Sequence, residues 1–272
     1  MARVNLNGAA INYETNGEGP AMVLLHANPF DHSMWLYQMQ RFSAWYQVIA
    51  LDLRGYGGSE RTTECSLEIM AKDVARLCGK LGIDKCILAG VSVGGQIALQ
   101  FAVDFPELLS ALIVVGCVPS GRDLEQVFVQ RIEGYRREGI PTYYEKHLRA
   151  LVSNEFQESE IGRYLVDMFL EKAPTLRVEP IAAIFESVKQ WSVKEDIHRI
   201  KTPTLLIGGE KDGALPGVRQ IHSLMPEARF AIIPGAGHAC CMEAPATFDC
   251  IVMEFLRDHG LMEPRVNTRI GT

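Results

Sequence analysis

Ser92 lies in Gly90-Val91-Ser92-Val93-Gly94-Gly95, directly after the apolar run Cys86-Ile87-Leu88-Ala89 and directly before the small, apolar stretch 94–105. A serine hydroxyl becomes a useful nucleophile only when a base takes its proton and hydrogen-bond donors hold the negative charge that attack creates. The local pattern reads as a strand, a very tight turn and a helix. Such a turn strains the serine backbone and leaves no room two residues to either side, a demand that Gly90 and Gly94 meet. The helix start then offers the backbone N–H of Val93 and a partial positive charge to a developing oxyanion. By composition alone a G-x-S-x-G string occurs in roughly one chain in ten of this length, so a base and an acid must decide its meaning.

The chain has seven histidines. His222 falls in a surface-helix pattern over 215–225, and His259 ends the last helix, where an imidazolium complements the macrodipole. His147 and His198 stand among mixed charges in helical stretches and are expected to be solvated. His26 ends the strand Met22-Val23-Leu24-Leu25 and is a rival base, although it precedes the serine in the chain. His238 follows the strand Arg229-Phe230-Ala231-Ile232-Ile233 in the loop Pro234-Gly235-Ala236-Gly237, and loops beyond the carboxyl ends of parallel strands are where open α/β sheets gather their chemistry. The strand Thr204-Leu205-Leu206-Ile207-Gly208 likewise runs into Gly209-Glu210-Lys211-Asp212. Asp212 is the candidate carboxylate to orient the imidazole, with Glu210 its competitor.

The elements that must position these groups follow from periodicity. Strand patterns near Val4, Ile11, Val23, Val48, Ile87, Ile113, Leu205 and Ala231 alternate with helical ones from Val23 onward. That predicts a mainly parallel eight-stranded sheet covered on both faces, with an antiparallel hairpin first. Ser66 caps a helix carrying Leu67, Met70, Val74, Leu77, Cys78 and Leu81 on one face, and Gly82 suits its end. Between residues 119 and 198 the strand signal gives way to helices. Thr142 with Glu145 suggests a capping box, Pro180 a first helical position, and Ile181, Ile184, Phe185, Val188 and Trp191 an apolar stripe. The expected organisation is a core of residues 1–119 and 199–272 with an inserted helical cap, 120–198, over the serine. Phe30, Trp35, Tyr143, Tyr144, Phe185 and Trp191 are the candidate pocket walls.

The order serine, acid, histidine and four further stretches resemble the α/β-hydrolase superfamily over nearly the whole chain. His26-Ala27-Asn28-Pro29-Phe30 with Trp35 looks like its oxyanion loop, and Asp52-Leu53-Arg54-Gly55-Tyr56-Gly57-Gly58-Ser59 like its D-x-R-G-x-G-x-S turn. The turn at Asp212, and Gly237-His238 with Glu243 and Pro245, complete the set. The resemblance implies Ser92 as nucleophile, His238 as general base and acid, Asp212 as its orienting carboxylate, and the N–H groups of Asn28 and Val93 as the oxyanion hole. The loop departs from the usual His-Gly opening at Ala27. Asn28 adds a side-chain amide that either donates to the oxyanion or fixes the turn before Pro29. Asp52 and Arg54 read as a loop clamped by its own ion pair. Ser92, rather than aspartate, sets the chain apart from the epoxide hydrolases and haloalkane dehalogenases of the superfamily. The loop at residues 26–29 likewise fails to match its carbon–carbon bond hydrolases, leaving the capped esterase, enol-lactonase and cofactor-free perhydrolase group.

Net charge −6 and the absence of a basic stripe argue against nucleic acid or an anionic membrane as partner. A small-molecule substrate fits better. No apolar run approaches a membrane span and the opening residues lack a signal-peptide core, so a cytoplasmic location is expected. Seven cysteines without metal-ligand spacing read as reduced, mostly buried thiols, and Cys240 and Cys241 as packing beneath the His238 loop. Neither a metal nor a cofactor is expected. These features predict a serine hydrolase of small carboxylic esters or lactones. Acyl transfer, perhydrolysis, lyase chemistry or ligand sensing on the same scaffold are the alternatives; oligomeric state leaves no mark in the sequence.

Overall fold

Eight strands form where alternation places them: β1 (Ala2–Leu6), β2 (Ala9–Asn16), β3 (Ala21–Leu25), β4 (Gln47–Leu51), β5 (Cys86–Val91), β6 (Leu109–Val115), β7 (Thr204–Gly209) and β8 (Arg229–Ile233). The computed structural model describes residues 1–263. The strands make one sheet in the order β1-β2-β4-β3-β5-β6-β7-β8. β2 runs antiparallel to both β1 and β4, and every other neighbouring pair is parallel. All six residues of β5 are buried, which explains why the central strand reads as an unbroken apolar run.

The helices are α1 (Leu36–Phe42), α2 (Leu67–Leu81), α3 (Val93–Asp104), α4 (Glu125–Glu138), α5 (Thr142–Arg149), α6 (Asn154–Glu158), α7 (Glu160–Leu170), α8 (Val178–Gln190), α9 (Leu215–Leu224), α10 (Cys240–Glu243) and α11 (Pro245–Asp258). Alternate strand residues feed two cores. Val23, Leu25 and Leu88 pack with Leu77 of α2 and Ile97 of α3, whereas Met22, Leu24 and Ile87 pack with Met39 of α1 and Phe255 of α11. Ser66 Oγ accepts the Ile69 N–H at the start of α2, and Gly82 ends that helix in the left-handed region at φ 68°.

Helices α4 to α8 occupy the chain between β6 and β7. Where the chain leaves and returns, Ser120 bridges Ser192, Gly121 N–H donates to Trp191 O at 3.0 Å, and Val193 N–H donates to Pro119 O at 3.0 Å. Two local expectations fail here. Thr142 is not an N-cap: Pro141 holds that position with no side-chain cap, because the carbonyls of Gly139 and Pro141 already accept the N–H groups of Tyr143 and Glu145. Pro180 is the third residue of α8 rather than the first, still within the turn whose N–H groups lack intrahelical partners. No helix among the described residues is long and apolar enough to cross a membrane.

Candidate active site

Ser92 sits between β5 and α3 at φ 56°, ψ −117°, a conformation that L-residues adopt only under constraint. The constraint comes from close backbone approach on both sides. A Cβ on Gly90 would stand 2.2 Å from Gly94 O, and one on Gly94 would stand 2.4 Å from Leu25 O. Ser92 N–H donates to Val115 O at 2.8 Å, fixing the turn to the end of β6. As the first residue of α3, Val93 has no intrahelical acceptor for its N–H.

Asp212 and His238 come from the neighbouring strand ends. The Nδ1–H of His238 donates to Asp212 Oδ1 at 2.8 Å, and Ala214 N–H donates to the same oxygen at 2.8 Å. The Asp212 side chain is 2% exposed and that of His238 11%, so the carboxylate is shielded while the ring reaches an opening. Gly116, at φ 54°, lies against the pair: a Cβ there would come 2.8 Å from Asp212 Oδ2 and 3.2 Å from His238 Nδ1. Glu210 points elsewhere, accepting the Gly235 N–H at 2.8 Å. His26 is committed to structure, its Nδ1 bonded to Ala27 O and its Nε2 accepting the Leu53 N–H, both at 2.9 Å. Burial lowers its pKa despite the nearby Asp52.

Ser92, Val93, Asn28, Asp212 and His238 all border one cavity of about 190 Å³ beneath α4 and α8. Ser92 Oγ has no hydrogen-bond partner among the described residues, and catalytic pairs often close only when substrate arrives. The buried side-chain amide of Asn28 also makes no hydrogen bond among the described residues. The turn it was expected to fix is closed instead by Phe30 N–H to Ala27 O at 2.8 Å. The His238 loop is tied to the inserted helices through Glu243, which accepts the N–H groups of both Gly237 and Ser153, at 3.0 and 2.9 Å.

The pocket walls differ from the expected set. Of the six aromatics, Phe185 alone lines the cavity. Phe30 packs edge-on against Phe169 and Tyr143 edge-on against Tyr135, while Trp35 lies tilted against Phe248. Tyr144 OH donates to Phe169 O, and Trp191 Nε1–H donates to Gln100 Oε1. These five are packing residues between layers. The lining contributed by α4 went unanticipated: Leu124 at its cap, then Val127, Phe128 and Arg131. Their spacing of three, four and seven was visible in the sequence, and an arginine within such a stripe is the signal that could have found it.

His147 corrects another expectation. It is 6% exposed rather than solvated, with Nδ1 at 2.9 Å from Tyr135 OH. Burial holds its pKa well below the ordinary value, and the positive charge of Arg131 pushes the same way. Arg54 is clamped as expected, but by Asp73 of α2 at 2.6 Å, while Asp52 bonds His32 Nδ1 at 2.7 Å, Gly58 N–H and Asn12. Asp31, His32 and Asp52 lie close enough to suggest cation ligands, yet Asp31 pairs with Lys172 at 2.7 Å and Asp52 with His32, so their charges are already compensated. All seven cysteines are free, and only Cys250 is exposed.

Comparison with known proteins agrees with this fold. A family profile described as alpha/beta hydrolase fold matches residues 20–245. Epoxide hydrolase 3 of Xenopus tropicalis is 36% identical over 96% of this chain and 78% of its own length. An esterase of Thermogutta terrifontis, solved with malate bound, has a TM-score of 0.84 at 28% identity, covering 95% of this chain and 99% of its own. The enol-lactonase of Burkholderia xenovorans LB400 shares the fold with a TM-score of 0.87 at 24% identity, over 94% of this chain and all (100%) of its own. With the profile spanning β3 to β8 and the helices between them, the chain belongs to the α/β-hydrolase fold family.

Proposed function

We propose that the protein is a serine hydrolase that cleaves a small carboxylic ester or lactone through an acyl-enzyme. The supporting observation is the shared cavity: a strained, outward-held Ser92 and a His238 oriented by buried Asp212 face one small space. In this reading His238 Nε2 takes the proton as Ser92 Oγ attacks the carbonyl carbon, and Asp212 stabilises the imidazolium through Nδ1. The N–H groups of Val93 and Asn28 hold the oxyanion, with the free amide of Asn28 beside them. Collapse of the tetrahedral species expels the alcohol, protonated by His238. The imidazole then activates water against the acyl ester and Ser92 is regenerated.

Similarity to an epoxide hydrolase does not bring epoxide opening with it. Attack of a serine oxygen on an epoxide carbon would give an ether, which has no carbonyl for water to attack, so turnover would stop after one cycle. An acyl acceptor other than water remains compatible with the same residues. Fluorophosphonate labelling of Ser92, followed by multiple-turnover hydrolysis of a short aryl ester, is the expected result. Turnover that persists in Ser92→Ala would overturn the reading, and product analysis with added alcohols, thiols or amines separates hydrolysis from transfer.

A further inference from the structure

Resting on that reading, we infer that the preferred substrate carries a carboxylate that pairs with Arg131, as in a half-ester of a dicarboxylic acid or a lactone bearing a free acid group. Arg131 stands on the cavity-facing side of α4, in line with Val127 and Phe128, and borders the same space as Ser92 and His238. Its guanidinium lies 5.8 Å from the centroid of the Phe128 ring and 5.7 Å from that of Phe185. The two ring faces attract the cation without using its N–H groups as a carboxylate would, so its forked donors remain available to a planar oxyanion in the cavity.

The surroundings hold no counter-charge. Every other lysine and arginine between residues 120 and 199 has a carboxylate or carbonyl partner: Arg122, Arg136, Arg137, Lys146, Arg149, Arg163, Lys172, Arg177, Lys189, Lys194 and Arg199. Among the described residues Arg131 has neither. Burial lowers its pKa, and the groups that push it back up are the phenols of Tyr143 and Tyr135, not an acid. Of the other charged groups on the cavity wall, Lys211 is paired with Glu155 and Asp212 is bound to His238. A half-buried cation without a partner is costly to keep, and a ligand anion removes that cost. One unmatched positive charge suits a singly charged carboxylate better than a doubly charged phosphate.

The test compares monomethyl and dimethyl esters of dicarboxylic acids from four to eight carbons. The wild-type protein is expected to favour the half-ester at least tenfold in kcat/KM at its best chain length. Arg131→Gln brings the half-ester to diester ratio to about one, and Arg131→Lys retains part of it. Equal or better use of the diester at every length would overturn the proposal, as would a proportional loss on both series in Arg131→Gln. Calorimetric binding of the same esters to Ser92→Ala needs no turnover and no substitution at Arg131; tighter binding of the half-ester supports the proposal and equal binding overturns it. Ester turnover without charge preference removes the carboxylate alone. A binding preference without turnover in the wild type removes the hydrolase reading alone.

Discussion

The two sides of the cavity are built by different physics. Its floor, at the ends of β5, β6, β7 and β8, is held by backbone: the Ser92 turn wedged between Gly90 and Gly94, Ser92 N–H on Val115 O, and Gly116 N–H on Ile207 O. Its roof, α4 and α8, is held by side-chain packing, with Phe128 against Phe185 and the Arg131 guanidinium over both rings. Backbone geometry tolerates almost no variation, whereas packed side chains can be exchanged at nearly constant volume. The floor is therefore suited to fixing a reaction, and the roof to choosing what enters.

The sharpest way to break this division is at Asp212. Asp212→Asn is expected to lower kcat about 10⁴-fold by losing the Nδ1–H orientation of His238, while the melting temperature changes little. A loss below tenfold would show that the floor does not set the rate. Next comes Gly116→Ala, whose methyl would press on both Asp212 and His238. Displacement of the pair by a fraction of an ångström is expected to reduce kcat about 10²-fold with KM nearly constant. On the roof, Phe185→Leu is expected to move KM about tenfold and leave kcat within a few-fold, since it trims an apolar wall without touching the reacting groups. Equal effects of the floor and roof substitutions on kcat would erase the distinction.

The smallest expected effect concerns pH and stability. His147 in the roof and His26 in the floor are both held neutral by burial, so their folded pKa values lie below that of the unfolded chain. Below about pH 6.5 the unfolded state binds protons that the folded state refuses, and stability falls by up to about 1.4 kcal/mol per pH unit for each imidazole. His32 acts in the other direction. Burial alone would lower its pKa, but the Asp52 hydrogen bond and charge raise it, so its contribution is complete at low pH and fades as pH rises through its folded value. His147→Gln should thus flatten the decline measured by urea unfolding between pH 6.5 and 5. Parallel slopes for the two proteins would show that His147 protonates freely in the folded state.

The same contrast explains what could be read from the sequence. Gly90 and Gly94 declare themselves because only glycine fits, and the inner parallel strands because burial on both faces leaves short, unbroken apolar runs. Asp212 was separable from Glu210 only in three dimensions, since both lie in one turn. Side-chain partnerships left weaker traces. His147 sits between charged residues, yet with Tyr144 and Leu148 it occupies the buried face of α5, a three-and-four spacing that outweighs its neighbours' polarity. The Arg54 partner is Asp73, nineteen positions away. Aromatic identity did not separate pocket wall from interlayer packing: Trp35 and Phe185 are equally good at both, and only the placement of α8 along the cavity bordered by Ser92 makes one of them line it.

The paired backbone at Pro119–Gly121 and Trp191–Val193 gives the roof a single narrow stem. A Cβ on Gly121 would stand 1.8 Å from Val188 O, so the last turn of α8 presses directly on the outgoing segment of that stem. Because departure and return share one doorway, a foreign helical segment could be spliced in at this joint without cutting the sheet, and one that keeps partners for Glu243 and Asp31 is a practical route to re-aiming the chemistry at new molecules.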